Sequence, residues 1–160
     1  LGNTRDTTIC YGNSLNLNPQ IFGGDSNFFS FRWTLMPDTL LNVSLAKNIT
    51  VSPLVSSVYR FIVTDPCTQS ADTIFYNINV REPLVLRTSN DTTICMGTTT
   101  GLRATASGGL ASNYKYTWTR LSDGFDLGNS NTINVKPILN ESYKIKLEDG
   151  CSNPFDSSII

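Results

Sequence analysis

The chain has 160 residues, a formal net charge of −1, no histidine and 16% charged residues. Without a dense basic surface, neither nucleic acid nor an anionic membrane is an expected partner. Without imidazole, every mechanism that uses histidine as a base or metal ligand is excluded within this sequence. No window approaches the roughly 18 consecutive apolar residues of a membrane span, so we expect no membrane insertion.

The sequence consists of two consecutive copies of one module. The string Asp-Thr-Thr-Ile-Cys-x-Gly at residues 6–12 returns at residues 91–97, and matches continue at an offset of 85 as far as Trp33 and Trp118. The second copy then loses one residue, and matches run on at an offset of 84 almost to the end of the chain. Repetition at a fixed spacing predicts tandem domains.

We therefore predict two domains, repeat 1 at residues 1–83 and repeat 2 at residues 84–160, with residues 81–90 as the linker. Repeat 2 ends at Ile160, level with Tyr76 of repeat 1. Its last strand is predicted to be truncated, because it lacks counterparts of residues 77–80.

Apolar and polar residues alternate along both copies, which is typical of half-buried strands. The alternating runs, in chain order, are 49–51, 59–63, 74–80, 114–118, 133–135 and 143–147. Residues 40–46 are ambiguous, and their β-branched Val43 favours a strand or loop. Turn signals such as Gly23-Gly24 and Gly108-Gly109 separate the runs. Six or seven short strands per module predict an all-β protein built from two β-sandwiches.

The core of each sandwich is predicted around one tryptophan and one tyrosine. Trp33 and Trp118 lie on the third strand, and Tyr59 and Tyr143 open the sixth. These are the two anchors that an immunoglobulin-like sandwich uses, so we interpret them as core residues rather than ligand contacts.

Each module carries two cysteines, and the sequence offers no histidine or closer pair for a zinc site. We expect disulfides, and hence an oxidising compartment outside the cytoplasm. Two schemes are open. Pairing within modules would join Cys10 to Cys67 and Cys95 to Cys151, and this scheme is favoured. Pairing across the junction would join Cys10 to Cys151. The two schemes cannot coexist.

No catalytic or cofactor-binding residue is expected, and the chain is not predicted to be an enzyme. Serines occur without a Gly-x-Ser-x-Gly or Ser-x-x-Lys motif. Residues held in both copies serve the shared fold more plausibly than one active site, so we interpret the recurring aspartates as turn formers: Asp6, Asp65 and Asp72, which return as Asp91, Asp149 and Asp156. No metal site is predicted; calcium at Asn90-Asp91 or Asp149 stays a weaker alternative.

The succession of Thr-Ile-Cys-x-Gly, Gly-Gly, Tyr-x-Trp, Ile-x-Val-x-Pro and Tyr-x-Ile-x-Leu-x-Asp before a cysteine resembles the Ig-like and PKD-like repeats of large secreted bacterial proteins. It is most similar to tandem modules of cell-surface adhesins of gliding Bacteroidota, exported by the type IX pathway. The resemblance implies two Ig-like (PKD-like) β-sandwiches in a non-catalytic structural or adhesive segment. It also implies a location on the bacterial cell surface, a role in attachment or gliding, and neighbouring repeat modules as partners.

Two further expectations accompany this resemblance. The first is O-glycosylation, since the family carries glycans at Asp-Ser/Thr motifs, and the matching threonines are Thr7, Thr39, Thr73 and Thr92. The second is an alternative function, because similar modules occur as spacers or polysaccharide-binding accessory regions of secreted hydrolases. That alternative predicts a row of exposed aromatic residues on one sheet face, with these candidates: Tyr11, Phe22, Phe28 and Phe125.

Overall fold

The structure is a computed structural model that describes residues 3–40 and 42–160. The chain divides into two compact units, Leu1–Arg81 and Glu82–Ile160. Each unit has its own hydrophobic core and its own pair of sheets. Among the described residues, no helix is both long and apolar enough to cross a membrane.

Unit 1 is built from seven strands within its described residues. They are β1 (Asn3–Ile9), β2 (Leu15–Leu17), β3 (Ser30–Leu35), β4 (Asn42–Ser44), β5 (Ile49–Val51), β6 (Ser57–Asp65) and β7 (Ser70–Val80). A five-stranded sheet has the order β1-β7-β6-β3-β4, and β2 pairs with β5 in a second sheet. β1 runs parallel to β7, whereas the other pairs are antiparallel. The ambiguous run at 40–46 contains the short strand β4; Leu41 lies outside the described residues.

The core of unit 1 lies between these two sheets, as period-two burial requires. Trp33 on β3 and Phe61 on β6 are both 0% exposed, and their ring centroids are 4.8 Å apart. The indole Nε1–H of Trp33 donates to the carbonyl of Ala46 at 3.0 Å, so the one polar atom of this buried ring is paired. Tyr59 is 7% exposed. The core prediction for this module is confirmed.

Unit 2 repeats the plan with seven described strands. They are β8 (Val85–Thr88), β9 (Thr100–Ser107), β10 (Lys115–Arg120), β11 (Asp126–Gly128), β12 (Thr132–Val135), β13 (Tyr143–Glu148) and β14 (Asp156–Ile159), with a single 3-10 turn at Ala111–Asn113. The sheets have the orders β11-β10-β13-β14 and β12-β9-β8. Trp118 is 0% exposed and Tyr143 6%, and the Trp118 indole N–H donates to the carbonyl of Ser130 at 2.8 Å. The core prediction for the second module is confirmed as well.

The first strand differs between the two units. In unit 1 the Asp-Thr-Thr-Ile string lies in β1 and pairs with residues 77–80 of β7. In unit 2 its copy at residues 91–94 lies outside any strand, and β8 pairs instead with β9. The prediction of a linker at residues 81–90 was therefore wrong. The alternating Leu84 and Leu86 could have indicated structured residues here. Leu84 is buried and Leu86 packs against the core of unit 2.

One buried polar atom in unit 1 has no partner. The hydroxyl of Tyr76 makes no hydrogen bond with any described residue, although the side chain is only 6% exposed. Burial raises the pKa of this phenol, and the positive charge of Arg5 offsets part of that rise. At the equivalent position unit 2 has Ile160, which needs no partner. The Tyr76 ring therefore contributes packing while its hydroxyl bears a desolvation cost.

We expect Tyr76→Phe to leave the free energy of unfolding unchanged or to raise it by up to about 1 kcal/mol, because the substitution removes an unpaired buried hydroxyl. Urea denaturation measures the change. Ile78→Ala is the matched control on the same strand, since Ile78 is 1% exposed and its truncation should cost about 2–5 kcal/mol. A loss above about 1 kcal/mol for Tyr76→Phe would contradict the prediction and indicate a stabilising bond.

Candidate functional site

The most densely bonded polar side chain in unit 2 is Asp149, which follows β13. Its carboxylate is 1% exposed. Oδ1 accepts the backbone N–H groups of Cys151 at 2.9 Å and Ser152 at 2.7 Å. Oδ2 accepts the N–H of Leu110 at 2.7 Å and the hydroxyl of Ser152 at 2.8 Å. The carboxylate thus joins the end of the sixth strand of the module to the turn after its second strand.

Unit 1 holds the same arrangement around Asp65. Its Oδ1 accepts the N–H of Cys67 at 2.9 Å, matching the Cys151 bond in length and position. Its Oδ2 accepts the N–H of Asp25 at a longer 3.4 Å, and Asp65 is 6% exposed. The contact is therefore a property of the repeat, and it is looser in the first copy.

The Gly-Gly pairs of the sequence are the turns that these carboxylates hold. Gly109 has a φ of +54°, and a Cβ at this residue would lie 2.1 Å from Oδ2 of Asp149. Gly24 has a φ of +71°, and its Cβ would lie 2.9 Å from Oδ2 of Asp65. Only glycine combines the left-handed backbone with so close an approach. The Gly-Gly pairs lie outside the strands, as predicted, whereas Asp65 is the last residue of β6 and Asp149 directly follows β13. Each aspartate binds a turn rather than lying in one.

Burial alone would raise the pKa of the Asp149 carboxyl, but its donors outweigh burial. The N–H groups of Leu110, Ser152 and Cys151, together with the Ser152 hydroxyl, lower the pKa to about 2. For Asp65, burial likewise raises the pKa, and the bonds from Cys67, Thr68 and Asp25 lower it below its usual value. Each carboxyl is therefore held as the anion, which suits an acceptor of backbone bonds rather than a proton donor.

Three of the other four recurring aspartates also bind within their own modules. Asp6 accepts the side-chain amide of Asn77 at 2.7 Å, and Asp72 accepts the N–H of Thr73 at 2.7 Å. Asp156 accepts the N–H of Leu86 at 2.7 Å, which ties β14 to β8. Asp91 is exposed and lies outside the strands. Across residues 3–40 and 42–160, no group of three or more Cys, Asp or Glu side chains is placed to hold a metal ion.

The four cysteines fall into two classes. Cys10 and Cys151 are disulfide-bonded, whereas Cys67 and Cys95 are free, exposed thiols. The favoured pairing within modules, Cys10 with Cys67 and Cys95 with Cys151, was therefore wrong.

The path of β7 explains why unit 1 cannot pair its own cysteines. Cys10 follows Ile9, which pairs with Val80 at one end of β7, while Cys67 follows Asp65, which pairs with Ser70 at the other end. β7 has 11 residues, so its ends are about 30 Å apart at roughly 3.3 Å per residue. Disulfide partners need Cα atoms within about 7 Å.

The predicted glycosylation sites differ in accessibility. Thr7 and Thr73 lie half-buried in the paired strands β1 and β7. Thr39 is half-buried, and its carbonyl accepts a bond from Arg32. Thr92 is exposed on a segment outside the strands, which makes it the most accessible of the four.

The aromatic candidates lie in turns and loops. Phe22 is 90% exposed, Phe28 56% and Phe125 58%, while Tyr11 is half-buried. The Arg120 guanidinium lies 5.4 Å from the Phe125 ring centroid. None of the four belongs to a strand, so the prediction that they form a row on a sheet face was wrong. The period-two pattern places alternate strand residues on a face, and these four stand outside every alternating run.

No protein-family model matches the chain, and no curated protein sequence is significantly similar to it. Solved structures do match, 55 chains in all. Three N-terminal domains of the bacteriophage RB49 Highly Immunogenic Outer Capsid protein (Hoc) superpose with a TM-score of 0.51 at 16% identity, over 94% of this chain and 54% of theirs. An I-band fragment of titin gives a TM-score of 0.52 at 13% identity, over 99% of this chain and 62% of the fragment.

At such identities the likeness shows the fold alone, and this chain spans about half the length of the Hoc fragment (54%). A three-Ig variant of the same titin region matches equally, with a TM-score of 0.52 at 12% identity. The fold-class prediction is confirmed: the chain is all-β and forms two tandem immunoglobulin-like β-sandwich domains.

The low pKa of Asp149 predicts acid sensitivity. A carboxyl whose pKa is lower in the folded than in the unfolded state contributes stability above its unfolded pKa, near 4, and loses it as pH falls towards 2. The contribution is on the order of 2 kcal/mol. We expect Asp149→Asn to lower the free energy of unfolding by about 1–3 kcal/mol at pH 7 and by much less at pH 2, in urea titrations.

Asp65→Asn is the matched substitution, since the bond of Asp65 to the turn after the second strand, from the N–H of Asp25, is longer at 3.4 Å than the 2.7 Å bond of Asp149. This substitution should lower the free energy of unfolding by less than Asp149→Asn does. The loss should also depend less on pH. Equal losses for Asp149→Asn at pH 7 and pH 2 would show that the carboxylate charge does not hold the turn.

The states of the cysteines predict a labelling pattern. Without reductant, an alkylating reagent should modify Cys67 and Cys95 and spare Cys10 and Cys151, because only the first two are free thiols. Non-reducing digestion and mass spectrometry should find Cys10 and Cys151 in disulfide-linked peptides. The Cys67→Ser/Cys95→Ser variant should give the same linked peptides. A disulfide-linked peptide containing Cys67 or Cys95 would refute these assignments.

Proposed function

We propose that this chain is a non-catalytic structural and adhesive repeat segment of a long secreted cell-surface protein, of the bacterial adhesin type that serves surface attachment or gliding. The observation that carries the proposal is that the recurring aspartates, apart from the exposed Asp91, bind within their own module. Asp65 and Asp149 hold turns, and Asp6 and Asp156 bind neighbouring strands. The carboxylates of these recurring aspartates therefore make hydrogen bonds that stabilise the fold.

An extracellular location fits this proposal. Disulfides persist in oxidising compartments outside the cytoplasm, and Cys10 and Cys151 are disulfide-bonded. The resemblance of the repeat motifs to modules of secreted bacterial adhesins points to the same compartment. The weakly charged chain, with a net charge of −1, would not depend on strong electrostatic fields for its contacts.

Load bearing is the physical property that a stalk of such modules needs, and unit 1 has the strand arrangement for it. Its first strand, β1, runs parallel to its last, β7, over seven paired residues from Asn3 with Ile74 to Ile9 with Val80. A pull on the two outer ends of parallel strands shears all of their hydrogen bonds at once instead of opening them one by one. The unfolding rate under force, which governs mechanical lifetime, is then low.

The register identifies which β1 residues carry these bonds. The N–H of Arg81 donates to the carbonyl of Ile9 at 3.0 Å, so Ile9 directs its backbone polar groups to the β7 side. In a parallel ladder, alternate residues direct their backbone N–H and C=O groups to the same side. Those of Thr7 therefore point to β7, and those of Thr8 point away from it.

We expect Thr7→Pro to lower the force at which unit 1 unfolds, because proline removes an N–H that bonds to β7. Thr8→Pro is the matched control, since its N–H lies on the open edge of the sheet, and it should change the force far less. Single-molecule force spectroscopy of the whole chain, in reductant so that the full length bears load, measures both. A uniformly low unfolding force, or equal effects of the two prolines, would count against a load-bearing stalk.

A further inference from the structure

The outer face of the larger sheet of unit 1, which is the side turned away from the core, carries two arginines. On β6, Tyr59 and Phe61 are buried and face the core. Arg60 lies between them and therefore faces outward. On β3, Arg32 precedes the buried Trp33 and faces outward as well. Packing of the core therefore does not account for these two side chains.

The two arginines are diagonal neighbours on adjacent strands. In the antiparallel register of β3 and β6, Arg32 pairs with Ile62 and Thr34 pairs with Arg60. Residues placed diagonally in this way are about 7–8 Å apart, which is within reach of long side chains. Two positive charges at such a distance repel each other, and a bound anion would remove that repulsion.

Neutral oxygen atoms orient both guanidinium groups. Nε of Arg60 donates to Oγ1 of Thr34 at 3.2 Å, and Thr34 is 0% exposed. Nη2 of Arg32 donates to the carbonyl of Thr39 at 2.9 Å, and its Nε donates to Oδ1 of Asn42. These bonds fix the direction of each guanidinium group but do not neutralise its charge.

No carboxylate of the described residues forms an ion pair with either arginine. The ion pairs found within residues 3–40 and 42–160 are those of Arg120 with Asp123 and of Lys146 with Glu148, all in unit 2. A guanidinium group binds a carboxylate best through two parallel N–H···O bonds. Two fixed guanidinium groups without a carboxylate partner therefore form a site that is complementary to carboxylates.

Apolar side chains lie beside both arginines on the same face. Phe75 on β7 is the direct cross-strand partner of Arg60, and Ile62 on β6 is that of Arg32. Both apolar side chains are half-buried, so each leaves part of its surface at the outer face. We call these four residues the arginine patch.

Unit 2 repeats part of the arginine patch. Lys144 and Ile159 are the repeat counterparts of Arg60 and Phe75, and they are likewise direct cross-strand partners on the outer face. Both are exposed. The counterpart of Arg32, in contrast, is a threonine. A cation beside an apolar residue is therefore a feature of both modules, and the pair of arginines is a feature of unit 1.

We propose that the arginine patch binds a carboxylated polysaccharide. Carboxylates of the polymer bind the guanidinium groups of Arg32 and Arg60, and the C–H face of a sugar ring packs on Phe75. Two cations are too few for nucleic acid, whose binding depends on many phosphate contacts. The outer face of a sheet is open, which suits an extended polymer better than a small ligand that needs an enclosing cleft.

The inference rests on the adhesive role proposed above only for the presence of such a polymer at the cell surface. Binding depends on side chains of the outer face, whereas load bearing depends on backbone bonds between β1 and β7. Loss of binding and loss of unfolding force are measured separately, so either proposal can fail without the other.

The test measures binding of the whole chain to immobilised polygalacturonate, which has one carboxylate on each sugar, by biolayer interferometry. We expect binding at low ionic strength that weakens as salt is added, because charges at the surface are screened. The methyl-esterified polymer has the same sugar backbone without the charges. It should bind at least about tenfold more weakly, since hydrogen bonds to ionised groups are the stronger ones.

Substitutions in the patch locate the site. Arg32→Gln and Arg60→Gln should each weaken binding about tenfold, and Phe75→Ala about threefold with both charges kept. Lys47→Gln is the matched control, because it also removes one positive charge from unit 1, at an exposed residue between β4 and β5. It should bind as the unchanged chain does. Thermal unfolding checks the fold of each variant, and Arg32→Gln leaves the bond to the buried Thr34 in place.

Three results would overturn the proposal. The first is no binding to polygalacturonate, or equal binding of its methyl-esterified form. The second is equal binding by Lys47→Gln and the two arginine variants. The third is binding to poly-glutamate that is as tight as binding to polygalacturonate and is unchanged by Phe75→Ala, which would identify an acidic polypeptide as the ligand of the patch.

Discussion

Each module depends on the burial of a tryptophan from its third strand against its sixth strand. Trp33 and Trp118 are both 0% exposed, and each gives its indole N–H to a backbone carbonyl of its own module, Ala46 or Ser130. Modules of about 80 residues have thin cores, which bury only about 60–65% of the unfolded surface. One large ring, fully buried and with its polar atom satisfied, therefore supplies a large part of each core.

The second constraint is the carboxylate at the end of the sixth strand. Asp149 binds the turn that follows the second strand, and Asp65 does the same in unit 1 with one longer bond. Glycine is required opposite each carboxylate, because a side chain there would meet its oxygen. The core tryptophan and the turn-binding aspartate are thus buried side chains whose hydrogen bonds recur in both copies.

The repeated Asp-Thr-Thr-Ile string has two structures in one chain. In unit 1 it is a strand, since residues 77–80 provide a partner with an apolar face; in unit 2 the same string lies outside any strand beside a groove. An extended segment at a sheet edge needs a neighbour for its backbone groups, and its own sequence cannot provide one.

The sequence by itself determined the duplication, the alternating strands, the core at Trp33 and Trp118, and the turns at the Gly-Gly pairs. All of these follow from local spacing and side-chain period. Only the tertiary structure decided that Cys67 and Cys95 are free, that Leu86 lies in a strand, and that Phe22 lies in a loop. These outcomes depend on which segments meet at each end of a sandwich, and spacing along the chain does not encode distance across a sheet.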